Sequence, residues 1–255
     1  MCLIALLVGA HPDTPLVVAA NRDELLERES RDFGVLRAAS PRLLGGQDAR
    51  AGGTWLAIGE HGVIAGLTNR PQPGGMNPSK RSRGQLPLLM ANQPTALEAV
   101  AAVASLTPAE FNPCYLVVAD RTHAFYVDFA GGDPTPFALP TGLTVLENRP
   151  LGAPSAKVDA VKNALAHVGR EPLATLAEPF TRMLRSHDVP PETAELEPWR
   201  PPATRAPCVH AGPYGTRSST LVWLPNKPSD RPHVFVTNQA PCLERYVNQE
   251  ALWLR

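Results

Sequence analysis

Cys2 carries more chemistry than any other single residue of the chain. With Met1 removed, thiol and α-amino group sit on one residue. Unperturbed, the amine titrates at about 7.7–8 and the thiol at about 8.5, so the amine accepts the thiol proton at small cost near neutrality. Nucleophile and base then come from the same residue, as in N-terminal-nucleophile catalysis. The other reading of Cys2 is a small apolar side chain opening a buried strand. Asn21-Arg22-Asp23-Glu24 directly follows the apolar run Leu16–Ala20. If that run pairs with Cys2–Val8 as a hairpin, its end lies beside the start of the first strand, and Arg22 and Asp23 come to Cys2. A guanidinium there stabilises a thiolate or a substrate anion, and Asp23 can hold the α-amino group by a charge-assisted bond. The competing reading is a solvated turn with Asp23 as a helix N-cap.

The Asn-Arg dipeptide recurs after two further apolar runs, in Leu67-Thr68-Asn69-Arg70-Pro71 and Leu146-Glu147-Asn148-Arg149-Pro150. Three such strand ends would bring the amides of Asn21, Asn69 and Asn148 to one rim, where an amide can donate to an oxyanion or a substrate. Turn chemistry, with proline enforcing an extended preceding residue, accounts for the same pattern. Gly52-Gly53-Thr54-Trp55 and Tyr214-Gly215-Thr216-Arg217-Ser218-Ser219 are the other dense segments. Glycine pairs mark tight turns or close backbone approach. Trp55 reads as core or pocket wall, and Arg217 as a second anion contact ahead of a strand. No GK[ST], GxGxxG or GxSxG occurs. His11/Asp13 and Cys208/His210 are isolated i, i+2 pairs without an HExxH, so neither a metal nor a resident cofactor is expected.

The elements that must position these residues alternate in type. Cys2–Val8 and Leu16–Ala20 predict one hairpin, Thr54–Ile58 and Val63–Thr68 a second. Capping boxes at Thr95/Glu98 and Thr107/Glu110 predict two helices. Strands are expected at Tyr115–Ala119, Ala124–Asp128 and Leu143–Leu146. Val158, Val161, Leu165 and Val168 share one helical face, and Leu173, Leu176, Phe180 and Leu184 another. Residues 187–207 hold six prolines and read as a loop. Strands return at Ser219–Leu224, His233–Thr237 and near Tyr246–Leu254. This order does not alternate β and α strictly. It predicts stacked antiparallel sheets with helices on their outer faces, an α+β architecture, in one domain over residues 1–255.

The 255 residues carry 24 basic and 24 acidic side chains, a formal net charge of zero. That balance disfavours nucleic acid as a partner. Only four of the basic residues are lysines, and arginine suits bidentate recognition of carboxylate or phosphate. The run Cys2–Ala10 is too short for a membrane span and has no preceding Lys or Arg, unlike a signal peptide. The four cysteines form no CxxC and no dense framework, which fits reduced thiols. A cytoplasmic protein is the expectation.

Met1-Cys2-Leu3-Ile4, Asn21-Arg22-Asp23-Glu24, Gly52-Gly53-Thr54-Trp55-Leu56-Ala57-Ile58, Leu67-Thr68-Asn69, Arg83-Gly84-Gln85-Leu86 and Tyr214-Gly215-Thr216-Arg217-Ser218-Ser219-Thr220, in this order and spacing, resemble the NRDE family, also called the Transport and Golgi organization protein 2 family. The resemblance covers essentially the whole chain. Leu146-Glu147-Asn148 departs from the family's Leu-Ser-Asn at that place. The resemblance implies an N-terminal-nucleophile hydrolase-like αββα sandwich, with Cys2 as nucleophile, Arg22 and Asp23 as its supporting charges, Asn69 as oxyanion or substrate contact and Arg217 as a further polar contact. It implies two functions. One is a cysteine amidohydrolase or thioesterase acting on a small anionic substrate after Met1 removal. The alternative is a non-catalytic protein that binds and traffics haem, a lipid or acyl-CoA, with Trp55 in an apolar pocket lining. Haem then enters as a transported ligand.

Overall fold

The computed structural model describes residues 2–191 and 201–254. Strand β1 (Leu3–His11) turns through Pro12-Asp13 into β2 (Thr14–Leu25). Leu3, Ala5 and Leu7 of β1, with Val17 and Ala19 of β2, face one side, while Ile4, Leu6, Leu16, Val18 and Ala20 face the other. Both faces are covered, so the period-2 alternation is apolar on each side and the sequence reads as an uninterrupted run. β3 (Ser30–Arg37), β4 (Leu43–Asp48), β5 (Leu56–Gly59) and β6 (Ile64–Asn69) follow, then α1 (Gln85–Ala91) and α2 (Ala96–Ala104). β7 (Cys114–Ala119), β8 (Ala124–Phe129), β9 (Pro136–Ala138) and β10 (Gly142–Leu146) lead to α3 (Ala156–Ala164) and α4 (Ala177–Arg185). β11 (His210–Ala211), β12 (Tyr214–Leu224), β13 (His233–Thr237) and β14 (Val247–Asn248) complete the strands.

Two antiparallel sheets result. One runs β10-β1-β2-β12-β13-β14 with β11 on the edge of β12, the other runs β3 to β9 in chain order. Three apolar layers hold the stack. Ile4, Leu6, Val18, Ile58, Tyr115 and Val117 fill the space between the sheets. Leu86, Met90, Val100 and Val103 of α1 and α2 pack on Leu116 and Val118 of the second sheet. Val161 of α3 and Phe180, Met183 and Leu184 of α4 pack on Leu3, Ala5, Val17 and Ala19 of the first. The expected αββα sandwich is the observed fold. Among the described residues no helix is long and apolar enough to cross a membrane.

Three local expectations need correction. The Thr107 capping box makes only a 3-10 turn, Pro108–Glu110, without a side-chain cap. At Thr95 the hydroxyl does accept the Glu98 N–H at 3.1 Å, and α2 forms there. The final strand is only Val247–Asn248, because the Asn248 side chain caps the Glu250 N–H at 2.7 Å and starts a 3-10 turn, Glu250–Trp253. The proline-rich stretch falls partly on residues 192–200, outside the described residues; Pro202–Arg205 within it forms a 3-10 turn.

The register brings the chemistry together. Leu3 pairs with Asn21 across the first hairpin, so Cys2 lies next to Arg22. On the other edge of β2, Ser218 pairs with Arg22 and Thr216 with Asp23, leaving Arg217 as the extra residue of a β-bulge. Such bulges re-aim side chains beside functional sites.

Candidate active site

A pocket of about 850 Å3 opens at this end of the sandwich, and Cys2, Arg22, Asp23, Trp55, Asn69, Asn148 and Arg217 all line it. Cys2 has the orientation of Ile4, into the space between the sheets, and is half-buried. Its Sγ lies 4.0 Å from the Asp23 carbonyl oxygen. Burial pushes its thiol above the ordinary value. The positive chain terminus and Arg22 act in the opposite direction, and the Asp23 carboxylate adds to the rise.

Arg22 is buried on the same face. Its Nη2 is 3.9 Å from Glu24 Oε2, and its Nη1 has no hydrogen-bond partner among the described residues. A buried donor left unmet in a pocket wall is a ready contact for an anion. Asp23 is held from the helix layer. Its Oδ1 accepts from Thr216 Oγ1 at 2.6 Å and its Oδ2 is 3.5 Å from Lys157 Nζ on α3. Lys157 and Asp23 are both buried, so each compensates the charge of the other. The Tyr214 hydroxyl donates to the Asp23 carbonyl at 3.1 Å.

Asn69 and Asn148 approach the pocket from different sheets. The Thr68 hydroxyl donates to the Glu147 carbonyl at 2.7 Å, tying the end of β6 to the residue before Asn148. Asn148 is buried, and its Oδ1 lacks a hydrogen-bond partner among the described residues. The glutamate that departs from the family pattern is itself buried, with Oε1 3.7 Å from Arg149 Nε. Arg217 reaches back along the pocket wall, donating to the Leu26 carbonyl and, at 3.4 Å, to Ser30 Oγ. Trp55 packs into the inter-sheet core with one side on the pocket.

Asn21 is the exception. It is fully buried and does not line the pocket. As an odd-numbered residue of β2 it faces the helix layer, where its Nδ2 donates to the Leu184 and Pro207 carbonyls, both at 2.9 Å. The expected substrate contact is therefore corrected to a clip between α4 and the segment entering β11.

The sequence assigned no role to Lys157, Thr216, Tyr214 or Arg83, although the last three stand in its quoted motifs. Lys157 had a signal: it precedes Val161 by four residues, which puts it on the buried face of α3. Arg83 also lines the pocket and donates to the Pro113 carbonyl at 3.2 Å. Its placement depends on Gly53 and Gly84, whose backbones touch so closely that a Cβ on Gly53 would lie 2.6 Å from Gly84. In all, nine basic and four acidic side chains line the pocket. A chain of zero net charge thus concentrates a formal excess of five positive charges at one end.

The family profile described as Transport and Golgi organisation 2 matches residues 1–239. The Transport and Golgi organization protein 2 homolog of Bos taurus is 30% identical over 250 residues, covering 87% of this chain and 88% of the relative. The homolog of Homo sapiens is 28% identical over 251 residues with the same coverage. Among solved structures, a Caenorhabditis elegans N-acylethanolamine-hydrolyzing acid amidase ortholog matches with TM-score 0.56 at 15% identity, covering 91% of this chain and 98% of that one. Conjugated bile acid hydrolase from Clostridium perfringens matches with TM-score 0.50 at 11% identity, covering 98% and 97%. At such identities these structures establish the N-terminal-nucleophile hydrolase-like fold and nothing more specific.

Proposed function

The chain belongs to the Transport and Golgi organisation 2 family, and on that premise we propose that it is a cysteine hydrolase of the N-terminal-nucleophile type, acting on an amide or thioester of a small anionic substrate once Cys2 is the first residue. The observation that carries this reading is the pairing of Cys2 with Arg22, whose buried Nη1 has no hydrogen-bond partner among the described residues of a pocket rich in positive charge. In the proposed cycle the α-amino nitrogen of Cys2 takes the thiol proton. Sγ bonds to the substrate carbonyl carbon, and the carbonyl oxygen becomes an oxyanion that the amides of Asn69 and Asn148 serve as donors. Collapse expels the amine or thiol, which leaves with the proton from the ammonium, and an S-acyl Cys2 remains. Water, giving its proton to the same amine, adds to the thioester. The C–S bond breaks, Sγ regains the proton, and a carboxylic acid departs. Arg22 and Arg217 bind the anionic end of the substrate, and Asp23, braced by Lys157 and Thr216, orients the amine.

One observation favours a second reading, retention of an anionic lipid-like ligand such as haem or acyl-CoA without cleavage. Burial raises the Cys2 thiol, which reduces the thiolate present at neutral pH. A panel of N-acyl amino acids and acyl-CoA thioesters separates the two. Turnover that falls at least about 100-fold in Cys2→Ala supports the hydrolase. Saturable binding of haem or acyl-CoA without product, unchanged in Cys2→Ala, supports retention and overturns the hydrolase.

A further inference from the structure

Behind the wall that carries Asp23, four metal-ligating side chains meet that the hydrolase reading does not use. His187 follows α4, Cys208 and His210 bracket the entry to β11, and Cys242 lies in the turn after β13. One ligand atom from each lies within 4.8 Å of all the others. In sequence only the Cys208/His210 pair is visible, because the other two ligands are 21 and 34 residues from Cys208. We propose that His187, Cys208, His210 and Cys242 form a closed Cys2His2 site for a single Zn2+.

The distances match that ion. Zn–S bonds of about 2.3 Å and Zn–N bonds of about 2.0–2.1 Å in a tetrahedron put two sulfurs roughly 3.8 Å apart and a sulfur and a nitrogen roughly 3.5 Å apart. Cys208 Sγ and Cys242 Sγ are 3.6 Å apart; His210 Nε2 is 3.2 Å from Cys242 Sγ and 3.9 Å from Cys208 Sγ. The tautomer of His187 is also fixed. Its Nδ1 is 3.1 Å from the Cys208 carbonyl, which only accepts, so the proton sits on Nδ1 and the lone pair on Nε2. A carbonyl holding the far nitrogen of an imidazole is the usual outer support of a zinc-ligating histidine. Two thiolates and two imidazoles suit Zn2+ rather than a hard cation.

Hydrogen bonds to backbone carbonyls tie the ligand-bearing segments together. Cys208 N–H donates to the Ser186 carbonyl at 2.9 Å, and Arg185 Nε to the Pro241 carbonyl at 2.9 Å. Asn21 clips Leu184 to Pro207. Between Cys208 and His210, Val209 N–H donates to Thr216 Oγ1 at 2.8 Å, the same hydroxyl that donates to Asp23. With four protein ligands the site keeps no open position, so its role is structural: it fixes the strand that braces Asp23.

The test is metal content of the full chain purified without added metal or chelator, followed by Co2+ titration of the chelated protein. The proposal expects about one Zn2+ per chain, retained in Cys2→Ala. With Co2+ it expects visible bands of a tetrahedral thiolate complex. His187→Gln, at an exposed position, should leave the circular dichroism unchanged and weaken Zn2+ binding by at least roughly 10-fold, no less than the loss of an outer support costs. No zinc and no thiolate–cobalt band would overturn the site. So would zinc content unchanged in a Cys208→Ser/Cys242→Ser variant, or a Cys208–Cys242 disulfide in protein isolated under reducing conditions.

Discussion

Arg22 and Asp23 act on the Cys2 thiol with opposite signs, the guanidinium lowering its pKa and the carboxylate raising it, while burial raises it more than either. A raised thiol pKa leaves less thiolate at a given pH. Removing the positive charge in Arg22→Gln therefore raises the pKa further and slows alkylation of Cys2 by about two- to tenfold near neutrality. Mass mapping of Cys2 labelling between about pH 6 and 10 measures this; unchanged or faster labelling would contradict it. Lys157 answers to the same charge logic from the other side. Lys157→Met removes the cation that α3 sets 3.5 Å from the buried Asp23 carboxylate and costs about 3 kcal/mol, read from urea unfolding. A loss within error of zero would mean that the Asp23 carboxylate needs no cation from α3. Cys2, Arg22 and Asp23 were legible in the sequence because one hairpin suffices to juxtapose them. The Lys157 partner lies 134 residues from Asp23 and appears only when α3 docks on the sheet.

At the scale of elements, two irregular features shape the pocket. The bulge between Thr216 and Ser218 lets Thr216 turn to Asp23 while Arg217 and Ser218 line the cavity. The contact of Gly53 with Gly84 lets the loop before α1 bring Arg83 to the same cavity. Gly53→Ala places a methyl group against backbone that cannot rotate away, and a loss of about 1–3 kcal/mol is expected. A thermal midpoint unchanged from the parent would show that the loop yields. Strands buried on both faces, such as β1, β2 and β7, were legible as apolar runs. β3 was not, since Ser30–Arg37 is an edge strand with no fully buried residue and no continuous apolar face. The Thr107 motif misled because a capping box describes a start signal, and Pro113 and the strand at Cys114 leave no room for a helix to propagate.

Across the whole molecule, charge is balanced in sum and polarised in space. The excess of positive side chains around the pocket predicts that the apparent affinity for an anionic substrate or ligand falls as salt rises from about 0.05 to 0.5 M, because exposed charges are screened beyond a Debye length of about 10 Å at 0.1 M. A neutral analogue should show little change, and equal salt dependence for both would argue against electrostatic capture. The αββα layering was legible from element order alone, whereas the charge excess was not, since it draws on residues from position 22 to position 217. The most direct test of the account is rapid quenching of protein beginning at Cys2 during reaction with an acyl-CoA or N-acyl amino acid substrate, followed by intact mass and peptide mapping. The account predicts one acyl group on Cys2 Sγ that disappears as free acid accumulates. Turnover with no acyl group on Cys2, or an acyl group that stays without release of acid, would contradict it.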